Sequence, residues 1–252
     1  MKRVEKLAPA TIRARVGALA RCTDWGLRKG LLQMPDHPLR TLPDGYAQYT
    51  AADTAAAGVK RIDTERDRRL EEGEYEKALA VIDGGILARL QRPLTIEYPQ
   101  AHRLLFVLAV ETAMRLREMY TLTLDQVDLP RRTVFLDKTK NGDKRQVPLS
   151  TVAVAAIKDY LAVREVPANH PDNVFFPWWN GQSDPKHLAE LSDYLSKRFK
   201  SVFEQAEAVG LRFHDLRHEA TSRLFEKTTL SESQIMKITV SLSDRYSPFS
   251  SK

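Results

Sequence analysis

Apolar residues first recur at helical spacing over residues 9 to 33, where Ile12, Val16, Leu19 and Ala20 lie three and four apart among Arg13, Arg15, Arg21 and Arg28. Pro9 suits the first turn of such a helix, and Pro35 closes the region. Pro38, Pro43 and Gly45 mark a turn-rich stretch, and residues 46 to 60 are rich in Ala and Thr. A second helical region is expected from about Thr64 to Leu90. Its run Arg66-Asp67-Arg68-Arg69-Leu70-Glu71-Glu72 reads as a solvated helix face. Pro93 to Pro99 reads as a loop dividing residues 1–92 from residues 93–239, although Glu74 to Leu90 fits either side.

Beyond that loop the pattern changes. His102 to Met114 carries the unbroken apolar run Leu104 to Val110 and predicts a buried helix, with a second short helix from Arg117 to Leu122. Two runs of strand character follow, Thr133–Leu136 and Arg145–Leu149, and Asn141-Gly142 between them predicts a hairpin. Ser150 is an N-cap for a helix from Thr151 to Val163. Asn173–Phe176 reads as a short strand, and helices are expected over Pro185–Ala208 and Asp215–Glu226. A last helix, Ser231–Ile238, has Gln234 as a capping-box partner. The predicted fold is mainly α with a small β-hairpin or sheet. Residues 240–252 are rich in Ser and read as an irregular tail.

Composition adds that the chain is globular. Hydrophobic residues make up 42% and charged residues 29% of 252, enough apolar material for a sizeable core. The net charge of +6 and pI near 9.4 favour an anionic partner, of which nucleic acid is the commonest. The single cysteine, Cys22, excludes an intramolecular disulfide and is expected as a small buried hydrophobe. No apolar run is long enough to span a bilayer, and the charged start Met1-Lys2-Arg3 lacks a signal-peptide core. A cytoplasmic protein with no membrane partner is the expectation.

Four basic positions could carry chemistry. Arg115 follows the apolar helix, Lys140 lies at the hairpin tip, and His214 and Arg217 are three apart at a helix start, so they can share a face. Such a set suits phosphoryl transfer. A guanidinium donates two parallel hydrogen bonds to phosphate. A lysine can protonate a leaving alkoxide, and a histidine can donate to oxygen or handle the nucleophile's proton. Each also has an ordinary reading: Arg115 as an ion pair with Glu118, Lys140 as a solvated tip, His214 and Arg217 as chance neighbours. No cluster has metal-ligand spacing.

The run Glu111-Thr112-Ala113-Met114-Arg115-Leu116-Arg117-Glu118, followed by Leu124-Asp125-Gln126-Val127-Asp128-Leu129, resembles the first arginine motif of the tyrosine recombinases (phage integrases). Thr139–Leu149 resembles the hairpin that carries that family's lysine, and Phe213-His214-Asp215-Leu216-Arg217-His218 resembles its His-x-x-Arg motif. The resemblance covers roughly Thr95 to Thr239, with the three motifs in the family's order. It implies an integrase-type catalytic domain over residues 93–239. That domain would follow a small helical core-binding region, residues 1–92, with less helical material ahead of it than the family pattern has.

The resemblance also implies DNA cleavage and rejoining through a 3′-phosphotyrosyl intermediate, with no metal and no cofactor. Arg115 and Arg217 would clamp the scissile phosphate and Glu118 would support Arg115. Lys140 would act as general acid and His214 would assist. Arg13, Arg15, Arg21 and Arg28 would contact phosphates of double-stranded DNA, on which several copies of the chain would assemble. At the tail the sequence departs from the family. Val240-Ser241 stand where the pattern has Gly-His, and Tyr246 falls about four residues before the expected nucleophile. Two readings stay open: Tyr246 is the nucleophile on a shortened connection, or the chain holds DNA without cleaving it.

Overall fold

The computed structural model describes residues 1–63, 66–87, 92–137 and 144–239. It divides into two compact units, Met1–Arg66 and Asp67–Lys252. The sequence pattern put the division at residues 92–93; the contacts put it earlier, because the helix at Glu74–Ile82 packs on helices of the second unit.

In the first unit, α1 runs from Pro9 to Arg28, with Pro9 in its first turn. It stops short of the expected residue 33 because Gly30 takes a left-handed φ of 68°. The Leu31 amide then returns to the Gly26 carbonyl at 2.9 Å, which closes the helix end. A Cβ on Gly26 would lie 2.8 Å from the Leu32 Cδ1, the end of an exposed side chain that would have to shift. Ile12 and Ala20 face inward, whereas Leu19 and Trp25 are exposed. Cys22 is exposed rather than buried. Two residues past Ala20 it lies about 200° around the helix from that buried position. The Ala- and Thr-rich stretch contains an unexpected helix, α2 (Ala51–Ala57), held by a Thr50–Asp53 capping box. Lys2 and Arg3 pair with the same Asp53 carboxylate and hold it below the ordinary carboxylate range.

The second unit is organised by α4 (Pro99–Thr112). Leu104, Leu105, Phe106, Leu108 and Val110 on it are all buried. Around it pack α3 (Glu74–Ile82), α5 (Leu116–Tyr120), α6 (Thr151–Ala162) and α8 (Asp215–Lys227), while α7 (Pro185–Gln205) packs on α3 and α5. An aromatic group of Phe106, Phe199, Phe203 and Phe213 joins α4, α7 and the start of α8. His102 is buried in the same region, edge-on to Trp178, and its pKa is pushed down to about 4 by that burial.

Only residues 74–82 of the expected long helix 64–90 are helical among the described residues. Gly73 turns the chain into α3 with a φ of 79°. Arg68 pairs with Glu74, whose carboxylate also accepts from the Glu71 amide at 2.8 Å. Arg66 to Glu72 is therefore no helix face. It is an irregular strap whose Arg69 bridges to Glu219 and Glu226 on α8.

The sheet is three-stranded and antiparallel, in the order β1 (Val127–Asp128), β2 (Thr133–Leu136), β3 (Arg145–Pro148). Register pairs Val134 with Val147 and Leu136 with Arg145. Alternation sends Val134, Leu136, Val147 and Arg145 inward and leaves Phe135 outward. Asn173–Phe176 forms no strand. It makes one bridge, Thr123 to Val174, flanked by hydrogen bonds to residues 122–124. Ser150 caps α6 by accepting from the Ala153 amide at 3.1 Å. The last helix, α9 (Glu232–Thr239), has the Ser231 amide on the Gln234 side chain at 2.8 Å, as the capping pattern predicted.

Candidate functional site

The site is built where α4 gives way to α5. Thr112 ends α4 by returning its hydroxyl to the Leu108 carbonyl at 2.6 Å. Ala113 then takes a left-handed φ of 53°, and Met114 is buried. This tight turn presents Arg115 as the N-cap of α5 in extended conformation. Glu118, one turn on, accepts the Arg115 backbone amide at 2.7 Å and the Arg115 Nη1 at 3.1 Å. The carboxylate thus fixes both the backbone and the side chain of Arg115.

α8 supplies the other two groups. The Arg212 amide donates to the Asp215 carboxylate at 2.8 Å, which fixes the entry to this helix. His214 is its N-cap and Arg217 lies one turn in. Arg217 donates through Nη1 to the Ala113 carbonyl at 2.5 Å and through Nη2 to the Thr239 carbonyl. α8 is itself held by the chain Arg69–Glu219–Arg223, and Arg223 reaches Glu111 on α4 at 3.5 Å.

Arg115, His214 and Arg217 converge on one solvent-open cleft of about 450 Å³, floored by Ala109, Met114 and Phe213. The two guanidinium groups and an imidazole line this cleft together with Ser196. Although His214 as a residue is exposed, packing around its ring depresses its pKa below the ordinary 6.5, assisted by the charges of His218, Arg217 and Arg115 and opposed by Asp215. It is therefore mainly neutral at neutral pH, and an anion in the cleft would favour its protonation. A broader groove of about 1370 Å³ adjoins Arg115, lined by Arg117, Gln126, Asp137 and Trp179 among others. The arrangement is that of an oxyanion site: donors held from behind by carboxylate and backbone, with their faces toward an open groove.

Of the expected site residues, the structure brings Arg115, His214, Arg217 and Glu118 together. Lys140 and Tyr246 lie outside the described residues. Arg13, Arg15, Arg21 and Arg28 all lie on α1 of the first unit. Arg13 pairs with Asp63 at 2.6 Å and Arg15 with Glu5 at 3.0 Å. At about 100° per residue, Arg13, Arg21 and Arg28 fall within about 80° of one another, while Arg15 points to a different side.

Sequence reasoning missed Arg145 and Arg69. Arg145 is buried and donates to Glu118 Oε2 at 2.6 Å. Strand alternation with Val147 carried that signal, since it puts residue 145 on the inward side. Arg69 pairs with partners about 150 positions away, and no local pattern encodes that. Among the described residues no cluster of His, Cys, Asp and Glu could hold a metal ion, and no helix is long and apolar enough to cross a membrane.

Comparison with known proteins bears on this geometry. The model of the Phage integrase family matches residues 68–238. The chain is 32% identical over 164 residues to a Haemophilus influenzae protein described as an integrase/recombinase, covering 64% of this chain and 39% of that one. It is 31% identical over 185 residues to the shufflon-specific DNA recombinase of Escherichia coli, covering 71% of this chain and 38% of that protein. The chain thus spans about two fifths of the length of these relatives. Among solved structures, the Tn1549 transposon integrase in complex with circular intermediate DNA aligns with a TM-score of 0.59 at 18% identity, over 95% of this chain and 74% of that one. A lambda integrase dimer bound to a COC′ core site aligns with a TM-score of 0.57 at 15% identity, over 97% and 76% of the two chains. These structural likenesses establish the fold.

Proposed function

The chain belongs to the phage integrase family, and from that premise we propose that it acts in site-specific recombination of double-stranded DNA by cutting and rejoining strands. The observation that carries this reading is the convergence of Arg115, His214 and Arg217 on one cleft, with Glu118 behind Arg115.

In the proposed reaction the two guanidinium groups neutralise the non-bridging oxygens of the scissile phosphate as charge accumulates on them. The Tyr246 oxygen attacks phosphorus, the bond from phosphorus to the 5′ oxygen breaks, and a 3′-phosphotyrosyl bond forms. Lys140 gives its proton to the departing 5′ oxygen, and neutral His214 takes the proton that the tyrosine gives up and then donates to a phosphate oxygen. Rejoining is the reverse, with a 5′-hydroxyl as attacker. The reaction conserves bond energy in the covalent intermediate, so it needs no external energy source. The α1 arginines of the first unit add phosphate contacts that supply affinity rather than sequence reading. Two or more copies on one DNA would provide the strands to exchange.

A second reading, DNA binding without cleavage, is favoured by one observation. Val240-Ser241 stand in place of Gly-His, and Tyr246 is early by about one helical turn. In-line attack needs the reacting oxygen about 3 Å from phosphorus, so such a displacement matters. Incubation with a nicked suicide duplex that the protein demonstrably binds separates the two. The first reading predicts a covalent protein–DNA adduct that disappears in Tyr246→Phe. Binding with no adduct establishes the second.

A further inference from the structure

Arg145 lies on the inward face of β3, opposite Leu136, and is buried. Its Nη2 donates to Glu118 Oε2 at 2.6 Å and its Nη1 to the Thr239 carbonyl at 3.1 Å. The other oxygen of Glu118 holds Arg115, and the same Thr239 carbonyl receives Arg217. Arg217 in turn reaches the carbonyl of Ala113, two residues before Arg115. These contacts close a ring that runs through Arg115, Glu118, Arg145, the end of α9, Arg217 and back to the Arg115 turn.

We propose that Arg145 is a positioning residue that couples the two cleft arginines to the last turn of α9, so that the phosphate-binding geometry forms only when that turn is seated. This rests on the reading of the cleft as a phosphate site. The chemistry favours coupling over independent contacts. The last carbonyls of a helix have no partners within it and carry its negative end, so Thr239 attracts cations. Two guanidinium groups share this one acceptor. Releasing it takes one acceptor from each of Arg145 and Arg217, so the Glu118 contact of Arg145 loses its counterpart on α9. α9 has few other anchors: it packs on β3 and α8, and Ile235 is its one buried apolar side chain among the described residues. The segment that leads to Tyr246 therefore begins from a residue gripped by the same arginine that faces the cleft.

The test is a double-mutant cycle on the full chain, titrated with inorganic phosphate at fixed pH and ionic strength and followed by the His214 ring-proton signals. Arg115→Ala and Arg145→Met should each weaken phosphate binding, by roughly tenfold for a lost charge-assisted contact. The double variant should bind about as weakly as Arg115→Ala alone, a coupling that a merely stabilising residue would not show. Arg145→Lys offers one ammonium that can meet Glu118 or Thr239 but not both. It should show an intermediate loss with faster amide exchange in α9, and it carries the cycle if Arg145→Met does not fold. Unchanged binding in Arg145→Met beside weakened binding in Arg115→Ala overturns the inference alone, as does full additivity. Unchanged binding in Arg115→Ala overturns the phosphate reading and the inference with it.

Discussion

The arginines of α1 and the arginines of the cleft are the same side chain in two physical situations. On α1, the Arg13 and Arg15 side chains are 46% and 50% exposed, each with one partner carboxylate near the surface. In the second unit, the Arg115 side chain is 24% exposed and that of Arg145 only 6%, and both share Glu118, itself 7% exposed. Exposed ion pairs contribute little and are screened by salt. Buried ones cost desolvation and survive only with full hydrogen bonding. The first arrangement suits adjustable contact with a polyanion. The second suits a fixed geometry, as charge stabilisation in a transition state requires.

Four changes would break or sharpen this contrast. The largest is Glu118→Ala, which strips a buried arginine and the Arg115 turn of their common partner. The expected cost is about 3 kcal/mol in a denaturant melt, whereas Glu5→Ala, the exposed partner of Arg15 on the first unit, should leave the melt unchanged. A small effect of Glu118→Ala would place the cleft arginines in the same class as those of α1.

The next concerns pH. Phosphate affinity at the cleft should rise as pH falls below 6.5 toward the depressed His214 pKa, while contacts by α1 arginines stay flat. The stability term has the opposite sign. His214 favours its neutral form when folded, so below the unfolded value of 6.5 the unfolded chain binds more protons and stability falls with pH. Titrating affinity and melting temperature on wild type and His214→Gln tests both; identical profiles in the two proteins would remove His214 from the cleft's chemistry.

A smaller effect is expected at Ala113, where a side chain occupies the left-handed region at φ 53°. Ala113→Gly should stabilise the second unit by roughly 0.5–1 kcal/mol without altering phosphate affinity. A loss of stability would mean the turn draws its geometry from elsewhere. The smallest is Arg21→Ala with Arg28→Ala. Binding of a mixed-sequence duplex should weaken a few-fold, uniformly across sequences, and the salt slope should drop by about one per arginine. No change in slope would exclude these two from phosphate contact.

Much of this architecture is legible in the sequence where local chemistry decides it. The apolar run of α4, the strands β2 and β3 and the Ser150 and Ser231 caps follow from periodicity and capping alone. The motifs that meet in the cleft are legible through their resemblance to the tyrosine recombinases, not through periodicity. What was missed is decided by tertiary partners. Arg66 to Glu72 has a helical composition, yet Gly73 and the pairing of Arg68 and Arg69 with Glu74 and Glu219 hold it as a strap. Cys22 sits within an apolar pattern, but α1 buries only the stripe through Ile12 and Ala20. Arg145 occupies an inward strand position because Glu118 and the end of α9, both distant in sequence, supply its partners.

The central claim, that the second unit holds phosphate for strand cleavage while the first supplies affinity, is tested most directly by trapping on the nicked suicide duplex with wild type and Arg217→Ala. The expected result is a covalent adduct whose rate of formation falls by about 10²–10³ in Arg217→Ala, at duplex concentrations where both proteins are bound. An adduct forming at the wild-type rate without Arg217 would contradict it.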